Sequence, residues 1–165
     1  MKFVNIRAHM LSALYVVILS ACGGSEVESM LSPDQQFAVD ELLREHIHAE
    51  LVQPSECTST LLKRYQSENP NYNPYYAEAD FNEDGRLDFV IATKTAGAYE
   101  LWLFLGSAAD YRKPQNFAMM TWLHEGGLIV QGRNLFAGKL YGDDGITYAW
   151  DSQAGRFAVY SLERP

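Results

Sequence analysis

The chain has little of what marks several large classes of protein. Two cysteines in 165 residues are too few for a disulfide scaffold. No apolar run reaches the roughly 20 residues that a membrane-spanning helix needs. Walker, Rossmann, Gly-x-Ser-x-Gly and His-Glu-x-x-His patterns are missing, so no motif indicates a reaction. What remains, 47% hydrophobic and 21% charged residues, is typical of one globular domain.

Basic residues are also scarce. The first 21 residues contain Lys2 and Arg7 and no acid, so the other 144 residues carry 11 basic and 21 acidic side chains, a net charge of −10. A chain of this charge is repelled by phosphate backbones. The charge therefore argues against a nucleic-acid partner and suits divalent cations.

The first residues have the pattern of an export signal. Lys2 and Arg7 form a basic start, and residues 8–21 are uncharged and rich in Leu, Val and Ile. Fourteen such residues fit the apolar region of a signal peptide and are too few to span a membrane. A plain secretory signal with an incidental cysteine is one interpretation of this segment.

The end of the segment, Leu19-Ser20-Ala21-Cys22, resembles the lipobox of bacterial lipoproteins. The resemblance implies that residues 1–21 are removed and that Cys22 is acylated, which anchors the protein in a membrane of the cell envelope. Because Gly23 rather than Asp follows the cysteine, it also implies the outer membrane where the organism has one. Residues 22–31 would form the lipidated tether, and Cys57, left without a partner, is predicted to be a small buried side chain.

Residues 32–165 are predicted to form a single α+β domain. Ser32, Pro33 and Gln35 have the spacing of a capping box at a helix start, and an apolar stripe continues that helix to about Val52. A second helix is predicted over residues 58–66. Both helices are expected to cover one face of an antiparallel sheet or meander.

Strand patterns begin after residue 75. Residues 87–93 and 99–105 are nearly continuous apolar runs on either side of a small turn, as in central strands covered on both faces. Hairpins are also predicted between residues 118–123 and 128–131, and between 146–150 and 156–161.

One motif carries specific chemistry. Residues 80–88 place oxygen-bearing side chains at loop positions 1, 3, 5 and 9 (Asp80, Asn82, Asp84 and Asp88) and Gly85 at position 6. Calcium takes six to eight oxygen ligands, and a glycine permits the sharp turn of such a loop. Position 12, where an EF-hand needs Glu, is Ile91, and a strand follows instead of a helix. An acidic turn without metal is the alternative interpretation.

The stretch over residues 78–92 resembles the calcium loop of the FG-GAP/VCBS type, which leads into a strand in integrin-like propeller blades. The resemblance implies side-chain ligands at Asp80, Asn82, Asp84 and Asp88 and a backbone ligand at Arg86. Only one copy is present, and 144 residues cannot form the repeated blades of a propeller. The resemblance therefore extends to the loop and to a structural Ca²⁺, and not to the propeller or its adhesion roles.

Two functions follow as expectations. The first is a lipid-anchored, non-enzymatic envelope protein that binds another envelope protein or a glycan, or has only a structural role. The second is a small envelope hydrolase that acts on glycan through a carboxylate pair, Glu78 or Glu100 with Glu125. Two carboxyls about 5–10 Å apart in a cleft would favour the hydrolase.

Overall fold

The protein is α+β, as predicted: in a computed structural model, the described residues form two α-helices and two antiparallel sheets. The structure describes residues 30–139 and 144–160. The predicted signal peptide, Cys22, most of the tether and the last five residues lie outside these ranges. Neither helix in the described part is long and apolar enough to cross a membrane.

Helix α1 (Pro33–Glu45) begins where the sequence predicts. The Ser32 hydroxyl accepts the N–H of Gln35 at 3.3 Å, and the Gln35 amide oxygen accepts the N–H of Ser32 at 2.9 Å. The predicted end at about Val52 is wrong, because residues after His46 leave the helix to form strand β1 (Glu50–Leu51) against a strand edge. Pairing with the sheet takes precedence over the helical spacing that continues through this segment.

The first sheet contains five strands in the order β1–β3–β4–β5, with β2 beside β1 on the same edge of β3. Its longer strands are β2 (Tyr76–Ala79), β3 (Asp88–Thr95), β4 (Ala98–Phe104) and β5 (Gln115–Met120). The predicted hairpin between β3 and β4 is confirmed. Its turn, Ala96-Gly97, has positive φ at both residues, which matches the right-handed twist of the flanking strands.

The second sheet is a meander of four strands, β6 (Gly127–Gln131), β7 (Asn134–Gly138), β8 (Gly145–Asp151) and β9 (Arg156–Val159). The predicted β8–β9 hairpin is confirmed. The predicted hairpin between residues 118–123 and 128–131 is wrong, since β5 pairs with β4 and β6 pairs with β7. A short 3-10 helix, Leu123–Glu125, carries the chain from one sheet to the other.

Helix α2 (Thr60–Glu68) lies on the other side of the first sheet from α1. Its Leu62 belongs to the apolar cluster between the two sheets, together with Cys57, which is buried as predicted. Helix α1 contributes to a second cluster on the opposite face of β3 and β4, which contains Val39, Leu42, Phe89 and Phe104. Both faces of the central strands are therefore covered, but the expectation that the two helices share one face is wrong.

Candidate metal site

The acidic loop, residues 80–88, connects β2 to β3 at one end of the first sheet. The Asp84 N–H donates to Asp80 Oδ1 at 3.1 Å and to Asn82 Oδ1 at 3.0 Å. The Gly85 N–H donates to Asp80 Oδ2 at 2.9 Å. The side-chain oxygens of Asp80 and Asn82 therefore point into the loop. They accept hydrogen bonds from the same stretch of backbone, residues 84–85.

Asp84 turns in the same direction. Its Oδ1 accepts the N–H of Arg86 at 3.0 Å, and its Oδ2 accepts the Asn82 amide at 3.1 Å. The Arg86 guanidinium is 3.7 Å from the same Oδ2 and offsets part of the negative charge. Gly85 adopts φ of +82°, which only glycine takes without strain and which closes the loop at position 6.

Glu83 is the one acid of the loop that turns outward. Its backbone has φ of +59°, and its carboxylate pairs with Arg133 in the turn between β6 and β7. Both side chains of this pair are more than half exposed. Glu83 is therefore separate from the inward-facing oxygens, although it adds to the charge of the loop.

Asp88 is fully buried and joins the loop to the sheet. Its Oδ2 accepts the N–H of Phe81 at 3.0 Å, and its Oδ1 accepts the N–H of Gly106, just beyond β4, at 2.9 Å. Burial raises the pKa of Asp88, and the backbone N–H groups of Gly106, Phe81 and Asn82 act in the opposite direction. The carboxylate of Asp88 thus holds the two ends of the loop together. No sequence pattern predicts its hydrogen bond to Gly106, 18 residues further along the chain.

The oxygen-bearing side chains of the loop are of the types that bind calcium. Their arrangement in the structure is not that of a complete coordination shell. In the described part of the chain, no group of three or more His, Cys, Asp or Glu side chains is arranged to hold a metal. A calcium site here depends on ligands of other types, the Asn82 amide oxygen and the Arg86 carbonyl, beside Asp80 and Asp84. Each oxygen of Asp88 already accepts one N–H group, and a carboxylate oxygen has a second lone pair that can bind an ion.

The carboxylates suggested for a hydrolase are engaged separately. Glu78 accepts the Gln35 amide at 2.8 Å, and Glu100 accepts the Asn116 amide at 3.2 Å. Glu125 pairs at 3.0 Å with Lys139, which lowers the pKa of Glu125. Each of the three carboxylates thus has a polar partner of its own, and no observation on the described residues favours the hydrolase.

Comparisons with family models, with curated proteins and with solved structures gave no match for this chain. Only the chain's own residues therefore bear on its function.

Proposed function

We propose that this chain is a lipid-anchored protein of the cell envelope whose α+β domain contains a structural calcium site in residues 80–88. The ligands would be the side chains of Asp80, Asn82, Asp84 and Asp88 and the carbonyl of Arg86. The protein would act as a non-enzymatic binding or structural module. The convergence of the Asp80 and Asn82 oxygens on the Asp84 N–H carries the proposal.

The position of the loop explains why the ion would be structural. The loop joins two paired strands, and Asp88 extends its contacts to the end of β4. Three carboxylates, those of Asp80, Asp84 and Asp88, repel one another without a cation. A divalent ion would replace that repulsion with shared coordination and stabilise the folded state, as a ligand specific to that state does.

The anchor is proposed from the sequence, since Cys22 lies outside the described residues. Its thiol would carry the lipid, and the short tether would hold the domain close to the membrane. The outer membrane is the proposed destination where the organism has one, and the partners are envelope proteins or glycans. The net charge supports the absence of nucleic acid from this list.

The anchor predicts that one substitution prevents both lipid attachment and normal processing. In cells of a Gram-negative host, the full chain should sediment with membranes and require detergent for release. Cys22→Ser should instead leave the chain either soluble or uncleaved, because the thiol that accepts the lipid is gone. Cell fractionation and intact-mass measurement distinguish these products. Equal membrane retention of cleaved, unmodified Cys22→Ser would contradict the anchor.

The calcium site predicts one ion per chain. Titration calorimetry of the full chain in mild detergent should give a dissociation constant on the order of 10⁻⁴–10⁻³ M, as in extracellular modules. Asp84→Ala should weaken binding at least tenfold, since it removes an inward carboxylate. Glu83→Gln is the matched control: it removes the same charge from the loop but no proposed ligand, and should change affinity less than threefold. Equal losses in both variants would indicate only diffuse attraction by the loop's charge.

A further inference from the structure

A cleft of about 490 Å³ lies where β2 of the first sheet approaches β6 of the second. Its volume is in the range of clefts that bind small molecules. The Leu128 N–H donates directly to the Pro74 carbonyl at 2.8 Å, so the two sheets are joined beside the cleft. A ligand therefore lies over this junction and not between the strands. The cleft contains none of the proposed calcium ligands.

Three tyrosines, Tyr65, Tyr72 and Tyr76, are among the residues that line the cleft. The Tyr72 hydroxyl donates to the Leu128 carbonyl at 3.2 Å, and the rings of Tyr72 and Tyr65 form an edge contact with 4.9 Å between their centroids. The Tyr76 ring stacks on Phe89. All three tyrosines are half-buried, so their contacts hold them in place while part of each remains exposed. An aromatic face attracts a cation that lies within about 6 Å of the ring centre.

Glu78 is the one charged side chain among the described residues that line the cleft, and it is exposed. In the described part of the chain, no Lys, Arg or His nitrogen forms an ion pair with it. The buried Gln35 amide nevertheless fixes its position, because it donates to Glu78 Oε1 at 2.8 Å and to the Tyr76 hydroxyl at 3.1 Å. A positioned carboxylate beside aromatic rings, without a cation of its own, matches a positively charged ligand.

The tether enters the domain beside this cleft. Asn73, one of the lining residues, donates its side-chain amide to Met30 Sδ at 3.5 Å. Met30 is eight residues from Cys22, which a fully extended chain spans in at most about 28 Å. A lipid on Cys22 would therefore keep the cleft within reach of the membrane surface, where zwitterionic lipids present ammonium groups.

We infer that this cleft binds an organic ammonium group, from a zwitterionic lipid headgroup or from a free ammonium compound. The cation lies beside the Glu78 carboxylate and against the tyrosine rings. The inference goes beyond the envelope proteins and glycans proposed above as partners. It depends neither on the calcium loop nor, for a free compound, on the anchor; only the lipid as its source rests on the proposed anchor.

The test compares choline with neohexanol, the neutral molecule of the same shape in which carbon replaces the ammonium nitrogen. Each is titrated into the full chain in a non-ionic detergent, with chelator present so that no calcium competes for Glu78, and with about 150 mM NaCl to screen diffuse attraction. Choline should shift the amide resonances of Tyr76, Glu78 and Val130 with a dissociation constant on the order of 10⁻³ M. Neohexanol should bind at least tenfold more weakly.

Two pairs of variants locate the cation. Glu78→Gln should weaken choline binding at least tenfold and leave neohexanol unchanged, since the new amide oxygen can still accept the Gln35 bond. Glu100→Gln is the matched control, because Glu100 also accepts a side-chain amide, that of Asn116 at 3.2 Å, but lies outside the cleft. It should change choline affinity less than twofold. Tyr65→Leu should weaken choline at least threefold, whereas Tyr65→Phe, which keeps the ring, should not.

Nanodiscs of phosphatidylcholine distinguish the two sources. If lipid headgroups fill the cleft, free choline should bind the anchored chain in these discs at least fivefold more weakly than in the non-ionic detergent. Neither environment has a net charge that would concentrate choline. Equal affinity in both would support the ammonium site and assign it to a free compound.

Several results would overturn the inference. These are no shift with choline at about 20 mM, equal binding of neohexanol, or equal losses in Glu78→Gln and Glu100→Gln. Shifts at the same amides with a chito-oligosaccharide, and none with choline, would assign the cleft to glycan instead. Choline binding in chelator would leave the inference standing even if the loop holds no calcium.

Discussion

Replacing Asp88 by alanine is expected to lower the free energy of unfolding by about 3 kcal/mol or more. The substitution removes the acceptor for two N–H groups, those of Phe81 and Gly106, at a fully buried position. A buried donor left without an acceptor costs about 1–3 kcal/mol, and here there are two. Phe81 and Gly106 are themselves buried residues.

Asp151 provides the matched control for this prediction. Its Oδ1 accepts the N–H groups of Gln153 and Ala154 at 2.9 and 3.0 Å, but these bonds are exposed in the β8–β9 turn. Water can replace the lost carboxylate there, so Asp151→Ala should cost no more than about 1 kcal/mol. Urea unfolding of both variants in chelator separates this effect from any loss of metal. Equal costs for the two variants would show that Asp88 does not hold the loop.

Calcium is expected to raise the free energy of unfolding of the domain by an amount that depends on its dissociation constant. At 10 mM Ca²⁺, a dissociation constant of about 10⁻⁴–10⁻³ M corresponds to a 10- to 100-fold excess, which adds roughly 1.4–2.7 kcal/mol. For a domain of this size, that is a rise of about 5–10 °C in melting temperature. Magnesium should give a smaller rise, because its octahedral demand is poorly met by a loop of side-chain and carbonyl oxygens.

The parts of the fold that local chemistry determines could be predicted from the sequence. The Ser32–Gln35 capping box starts α1, and the two apolar runs around Ala96-Gly97 form the central hairpin. Both signals involve residues only a few positions apart. The end of α1 was missed because Leu51 fits a helical stripe as well as it fits an edge strand, and only the free edge of β3 decides between them.

The change of sheet between β5 and β6 was missed for a related reason. Turn residues 125–127 look like the centre of a hairpin, but Gly127 instead permits close approach to Pro74, more than 50 residues earlier. This junction between the sheets depends on which strands pair, and no local pattern of residues 127–131 reveals that.

The candidate site also combines local features, which the sequence predicts, with long-range features, which it does not. The alternation of Asp80, Asn82 and Asp84 around Gly85 is a local pattern, and the inward turn of these side chains agrees with it. The burial of Asp88 and its bond to Gly106 are long-range features. Through these bonds, Asp88 connects the loop to the sheet, whereas the sequence indicates only another oxygen ligand at this position.

Thermal unfolding of the full chain in 10 mM Ca²⁺ and in chelator is the most direct test of the loop as a structural calcium site. The wild type and Glu83→Gln should melt about 5–10 °C higher with calcium. Asp84→Ala, with affinity at least tenfold lower, should show no more than about half of that shift and should melt near the wild type in chelator. The same melting temperature for the wild type in both conditions would contradict the calcium site and leave residues 80–88 as an acidic turn clamped by Asp88.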